Sequence, residues 1–344
     1  SPHINLFIGN NNTGKTKLLK LLFASVGALE VYNKQKALYG RDYTDELSRF
    51  LQKTFQSVRE GVGALVAKGG GASAMDVRLQ LAYLDKVGAK DAGKEHISYS
   101  IEKNSRHSVT LEEFSDLLNW DTSQAFNAMF VPSKEVLTLL PAIQEAEKEF
   151  IKGFDLTYTH LLDVWKPFKD KKGIEEEFRV VIEEIEKDIF EGGKIEYDEA
   201  IKDFVYQDAQ GISFELGMAA EGVKQVGVLY ILLRQGEIKP GTLLFIDGPD
   251  NNLNPAVIKT FLKLIVELSG LGVQVFMASH SYFVLKRLYL FTKDYKAHDF
   301  RCFVLEKDNG MITVESNDLA EAVPENLMEE EMLDLYYTEI DKEL

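Results

Sequence analysis

The chain has 344 residues, 45% hydrophobic and 27% charged, with 39 Lys and Arg against 55 Asp and Glu for a formal net charge of −16. That length holds one large or two ordinary domains with ample core material. The negative balance disfavours indiscriminate binding to nucleic acid over the whole surface, because that affinity comes from neutralising phosphates with cations, and it does not exclude a local basic groove. A single cysteine, Cys302, excludes an internal disulfide and a cysteine-based metal cluster, and is expected as a buried core thiol. No apolar run approaches the ~20 residues of a membrane span and no charged-then-apolar leader is visible, so a cytoplasmic chain without membrane contact is expected.

The first predicted element is a short apolar strand, Ile4-Asn5-Leu6-Phe7-Ile8, running into Gly9-Asn10-Asn11-Asn12-Thr13-Gly14-Lys15-Thr16 and then an amphipathic stretch with Leu18, Leu19, Leu21 and Leu22. Ser1-Pro2-His3 leads straight into that strand, so a sheet built on it is expected to have fewer neighbours than usual. The spacing alone also describes a glycine turn capping a helix. A strand before G-x-x-x-x-G-K-T and a helix after it favour a phosphate loop. The two glycines let the backbone curl so that successive N–H groups point inward, and the positive end of the helix adds to the attraction for phosphate oxygens. Asn11, Asn12, Thr13, Gly14, Lys15, Thr16 and Lys17 are therefore the candidate nucleotide-binding residues, with Lys15 reaching the β- and γ-phosphates and the Thr16 hydroxyl a magnesium ligand.

Beyond the first helix, a second helix is predicted around residues 44–53, followed by a flexible turn at Gly69-Gly70-Gly71. Alternating stretches at 77–84, 96–101 and 108–111 predict a small antiparallel sheet flanking the nucleotide core. Residues 128–132 read as a short buried strand closed by Pro132. Residues 135–193 carry Leu, Ile, Glu and Lys at helical spacing without sustained heptads and are expected to form an inserted helical lobe. Its charge run, Lys169 to Lys172 followed by Glu175 to Glu177, reads as solvated surface. Strands near 194–197, 204–207 and 212–216 and a helix over 221–233 return the chain to the core.

Thr242-Leu243-Leu244-Phe245-Ile246-Asp247 is an apolar run ending in an acid, as expected of a strand buried on both faces of a parallel sheet. Asp247 is placed to hold magnesium through water, opposite Thr16. Asn254-Pro255 opens a helix to residue 268, with asparagine as cap and proline at its first position. Residues 273–278 form another buried strand. His280 lies just past its carboxyl end, where adjacent strands of an open α/β sheet deliver their ends to one crevice, and is a candidate sensor of the γ-phosphate. A closing hairpin is predicted at 301–305 and 311–314 around Asp308-Asn309-Gly310. From Glu315 onward eleven acids stand against one lysine, either a solvated helix or a docking segment for a basic partner. His3, His96, His107, His160 and His298 are assigned to surface or packing, and no Ser/His/Asp, zinc or Cys/His arrangement offers other catalysis.

In that order, GNNNTGKT, Ala219-Ala220-Glu221-Gly222-Val223-Lys224-Gln225, FIDGPDNNLNP and MASHS resemble the ABC-type ATPases of the SMC, RecF and OLD branch. More narrowly, they resemble the ATPase module of OLD-like anti-phage defence proteins. The resemblance covers residues 1–30, 125–140 and 210–306, and the middle lobe has no recognisable motif. It implies an α/β fold: a P-loop NTPase with an ABC-ATPase-like mixed sheet, flanking antiparallel strands and the inserted lobe. The ATPase core would then comprise residues 1–134 and 194–314, with 135–193 inserted and 315–344 as an acidic tail. In the family, the segment matching Ala220, Glu221, Gly222 and Lys224 crosses to a second subunit's nucleotide, which implies ATP and magnesium as cofactors and a homodimer or higher even-numbered oligomer. Ala220 stands at the usual serine position, removing one hydroxyl donor.

The larger departure is Gly248, where the family pattern has the glutamate that orients attacking water. Glycine cannot take a proton, so a contribution of ~10²–10⁴ in rate is expected to be missing, and Gly248→Glu is expected to raise turnover. Asp250, three residues on, is the candidate substitute, acting through water. OLD nucleases carry a further nuclease domain, for which the 38 residues after Glu306 are too few. The resemblance therefore implies an ATP-gated sensor or scaffold for a separate effector, a nuclease or toxin, in phage defence. The alternatives are a RecF-like clamp that closes on DNA and a structural subunit that uses ATP as glue.

Overall fold

The computed structural model describes residues 3–39, 42–57, 61–66, 73–82, 94–106, 108–114, 127–149, 153–165, 173–308 and 311–343. The Gly69–Gly71 turn, His107, the run 169–172 and the Asn309-Gly310 step of the hairpin lie outside the described residues. By packing, the chain divides into two compact units, Lys20–Ala128 and Pro2–Leu19 joined with Met129–Leu344.

The larger unit is built on a six-stranded sheet. Its first strand, β1 (Ile4–Gly9), is followed by the loop and by α1 (Lys15–Tyr39), which runs on into the other unit. That unit adds α2 (Tyr43–Phe55), β2 (Ala74–Ala82), β3 (Lys94–Glu102) and β4 (Thr110–Phe114), after which come β5 (Ala128–Val131), α3 (Leu140–Lys148), α4 (Leu156–Trp165) and α5 (Glu176–Asp188). Next are β6 (Lys194–Asp198), β7 (Asp203–Gln207), β8 (Ser213–Glu215) and α6 (Glu221–Arg234). The chain ends with β9 (Leu243–Asp247), α7 (Pro255–Gly270), β10 (Gln274–Ala278), α8 (Tyr282–Asp294), β11 (Phe300–Asp308), β12 (Met311–Asp318) and α9 (Leu327–Glu343).

The sheet order is β12-β11-β1-β10-β9-β5. β1 is flanked on both sides by parallel partners, Leu6 opposite Met277 of β10 and opposite Cys302 of β11, although fewer neighbours than usual were expected for a sheet built on it. Those neighbours come from late in the chain, a pairing that local sequence does not encode. β9 lies parallel to β10 with Asp247 opposite Ala278, and β12 closes the other edge antiparallel to β11.

Because successive side chains of a strand point to opposite faces, β1, β9 and β10 bury both. On one face Ile4, Leu6, Ile8, Leu244, Ile246, Val275 and Met277 join the main core. On the other, the rings of Phe130, Phe245 and Phe276 stack at 6.3 and 5.0 Å across β5, β9 and β10. The stretch expected as an inserted helical lobe packs on the first of these cores: Ile143, Leu161, Trp165, Phe178 and Ile185 lie in the same cluster as Leu6 and Ile246. Three short helices with one apolar stripe each cannot bury those stripes alone, so they are spent on the sheet. The three-stranded antiparallel sheet β6-β7-β8 precedes α6, which is buried along most of its length.

In the smaller unit, β2-β3-β4 form an antiparallel sheet as expected, with a register shift at Ser98/Tyr99. Here α1 is tied to that sheet by the buried pair Ser25 Oγ and Tyr99 OH at 2.8 Å, and to α2 by Tyr43 OH donating to the Ser25 carbonyl at 3.1 Å. Burial pushes both phenols well above their ordinary range, so they stay neutral hydrogen-bonding groups. The acidic tail is helical as α9, with Met332, Leu333, Leu335, Tyr336 and Tyr337 exposed among its carboxylates.

Candidate nucleotide site

Three strand ends converge within the larger unit. The Ser279 amide donates to the Phe7 carbonyl of β1 at 3.0 Å, and the Gly248 amide to the Ala278 carbonyl of β10 at 2.9 Å. The loop after β1, the turn after β9 and the Ser279-His280 step after β10 therefore leave the sheet side by side, the crevice position that parallel α/β sheets offer to ligands.

The loop itself requires glycine at its first position. Gly9 has φ +144°, and a Cβ there would stand 2.2 Å from the Leu305 carbonyl oxygen of β11. Asn12 takes the left-handed region at φ +66°, a conformation asparagine tolerates better than most residues. Thr13 is buried, with its hydroxyl donated to the Asn10 carbonyl at 2.8 Å, while Asn11, Asn12 and Lys17 are exposed. Lys15 folds over the loop, its ammonium 2.6 Å from the Gly9 carbonyl and 2.8 Å from that of Asn10. Burial lowers the Lys15 pKa and the nearby Asp247 carboxylate partly offsets that, in a half-buried position.

Thr16 and Asp247, 231 positions apart, meet directly. The Thr16 hydroxyl lies 2.9 Å from one carboxylate oxygen of Asp247 and 3.1 Å from the other, and Asp247 is only 8% exposed. A hydroxyl and a carboxylate side by side suit magnesium, which takes few protein ligands and completes its shell with water and phosphate. Among the described residues no group of three or more His, Cys, Asp and Glu forms an all-protein metal cage.

His280 is exposed at the end of β10. Asp250 is engaged by its neighbour strand: Ser279 donates its hydroxyl to Asp250 at 2.8 Å and accepts the Ser281 amide at 3.0 Å. Gly248 has φ +69°, and a Cβ built on it would stand 2.2 Å from Nδ2, 2.7 Å from Cγ and 2.9 Å from Oδ1 of Asn251. The Asn251 carboxamide thus fills the space where a side chain at position 248 would begin. A glutamate introduced there would have to displace that carboxamide. A further group escapes sequence reasoning: Tyr158 of α4 is pushed up to about 12 by burial, then by the charges of Asp155 and Asp247, against a hydrogen bond with the Lys134 backbone. Nothing in the spacing of α4 announces that; for Asn251 the Gly-Pro-Asp-Asn turn is a usable signal, since such a turn returns its fourth residue to its first. The turn is closed by the Asn251 amide on the Gly248 carbonyl at 3.1 Å.

The segment Ala220–Lys224 opens α6. Ala220 is its N-cap without a side-chain bond, Glu221 and Lys224 pair at 2.8 Å, and a Cβ on Gly222 would meet only Val257 at 3.7 Å. Their hydrogen bonds are local, the Val223 and Lys224 amides donating to the Ala220 carbonyl at 2.9 and 3.3 Å.

A family model described as "AAA domain, putative AbiEii toxin, Type IV TA system" matches residues 4–286. No curated protein matches the sequence significantly. Among solved structures, an SMC head bound to the C-terminal winged-helix domain of ScpA is similar at 14% identity and a TM-score of 0.52, covering 92% of this chain and 91% of that one. The SMC head of Pyrococcus furiosus with an extended coiled coil, also bound to a C-terminal domain of ScpA, is similar at 13% identity with the same TM-score of 0.52, covering 92% and 91%. At such identities the likeness speaks for the fold.

Proposed function

The chain belongs to the AAA-domain family described as putative AbiEii toxin of type IV toxin–antitoxin systems, and from there we propose that two copies close head to tail around ATP and magnesium to control a separate effector in anti-phage defence. It is an ATP-binding ATPase domain of AAA/ABC type with an SMC-head-like fold. The observation that carries the site assignment is the Thr16–Asp247 contact at the end of the phosphate loop, with the Asp247 charge felt by Lys15.

In this reading the loop N–H groups and Lys15 grip the β- and γ-phosphates, Lys15 exchanging its two carbonyl acceptors for phosphate oxygens. Thr16 and Asp247 hold magnesium, which when bound neutralises charge on the phosphates. His280 senses the γ-phosphate from the end of β10. Ala220, Glu221, Gly222 and Lys224, at the start of α6, reach the nucleotide of the second copy. The defence role rests on the OLD-like motifs, and the idea of a docked protein partner draws support from SMC heads solved with one. No helix among the described residues is long and apolar enough to cross a membrane.

The test is ATP binding by the chain and by Lys15→Ala, paired with molar mass in the presence of ATP and magnesium. The parent is expected to bind and to double in mass, and the variant to do neither. Micromolar affinity retained without Lys15 would remove the site assignment, and a parent that binds ATP but stays monomeric would remove the closure.

A further inference from the structure

A glycine after the magnesium aspartate leaves the reaction without its usual carboxylate, and the structure shows what stands there instead. All three terminal atoms of the Asn251 side chain lie within 2.9 Å of the point where a Cβ on Gly248 would be. Gly248 directly follows Asp247, and its amide donates to the Ala278 carbonyl at the end of β10, two residues before His280. The Asn251 amide nitrogen donates to the Ser133 carbonyl at 3.2 Å. A carbonyl can pair only with the NH₂ end of the carboxamide, so this bond fixes which way the group is turned. It leaves Oδ1 as the acceptor end. Among the described residues Oδ1 has no hydrogen-bond partner.

Resting on the reading of this site as an ATP-hydrolysing one, we propose that the Asn251 carboxamide orients the water that attacks the γ-phosphate, in place of a general base. An amide can accept a hydrogen bond from water and hold it in line without accepting a proton, which is how glutamine serves in some P-loop GTPases. The water oxygen bonds to the γ-phosphorus as the bond to the β,γ-bridging oxygen breaks. ADP leaves with that electron pair, and the water's proton passes to a γ-phosphate oxygen, giving dihydrogen phosphate. The reaction is then slow but finite, and its rate carries no carboxylate titration. Asp250, whose oxygen is held by Ser279, serves to position the Ser279-His280 step rather than to take the proton.

The experiment is phosphate release from magnesium ATP by the full chain and by Asn251→Ala, Asn251→Asp and Asp250→Asn, alongside binding of a fluorescent ATP analogue and a thermal melt. Asn251→Ala is expected to lower turnover by about tenfold or more, with affinity within about threefold of the parent. Asn251→Asp, which puts a titrating carboxylate at the same place, is expected to turn over with an acid limb in its pH profile that the parent lacks. The proposal is overturned by parental turnover in Asn251→Ala, by a turnover loss that merely follows lost affinity or folding, or by an absent acid limb in Asn251→Asp. It is also overturned if Asp250→Asn alone abolishes turnover. A parent that binds ATP without hydrolysing it refutes this proposal and leaves the ATP-binding site standing, whereas failure to bind ATP refutes the site itself.

Discussion

Gly248→Glu restores the residue that the ATPase pattern calls for, yet the geometry argues that it does not restore the activity. The backbone at 248 has φ +69°, the left-handed region, which costs a non-glycine residue roughly 1–2 kcal/mol. A Cβ there stands 2.2 Å from Asn251 Nδ2, so the carboxamide must swing away. Its bond to the Ser133 carbonyl is then lost, for about another 0.5–1.5 kcal/mol. The sum is about 1.5–3.5 kcal/mol, which for a chain of 344 residues lowers the melting temperature by roughly 2–5 °C. Calorimetry of the single variant reads that shift directly. Turnover in Gly248→Glu should rise by less than about tenfold, because the new carboxylate is held off its productive position. The double variant Gly248→Glu/Asn251→Ala removes the collision, should recover part of the lost melting temperature, and should turn over faster than either single variant. A single variant that melts within a degree or so of the parent, with stability effects that simply add in the double, would refute the reasoning.

Asn254 caps α7, accepting the amides of Ala256 and Val257 at 3.0 Å each, so Asn254→Ala should cost about 1 kcal/mol in a denaturant titration. Cys302 is fully buried and its thiol is pushed up to about 12 by that burial. A thiol reagent near pH 8 should leave it unmodified in the folded protein and label it on unfolding. His298, packed between His3 and Tyr295, is held below its ordinary pKa by burial first and by His3 second. The unfolded chain then binds that proton more readily, so this contribution to stability is complete above the ordinary histidine pKa and is lost as pH falls through it. Melting temperatures taken between about pH 7.5 and 5.5 should fall more steeply in the parent than in His298→Gln, and parallel curves would count against it.

Much of the candidate site is legible in the amino-acid sequence. The phosphate loop announces itself because glycine spacing, a lysine and a hydroxyl are all local requirements of curling a backbone around phosphate. Asp247 and His280 are readable for the same kind of reason: each ends a run of apolar residues that can only be a strand buried on both faces. Asn251 is readable only in part: the Gly-Pro-Asp-Asn turn brings it back to Gly248, but the Ser133 carbonyl 118 positions away that orients its side chain is recorded in no local pattern. Tyr158 is hidden, since α4 reads as an ordinary amphipathic helix and its nearness to Asp247 comes from where the helix docks.

What the amino-acid sequence determined alone was the kind of each element and the chemistry at its ends, because periodicity, capping and loop curvature are set over a few neighbouring residues. Tertiary structure decided which strands became neighbours and which core the helices of 135–193 would share. It also decided what fills the space beside Gly248. Those outcomes follow from burying apolar faces and pairing buried polar groups across hundreds of residues, which only the folded chain can bring within reach of one another.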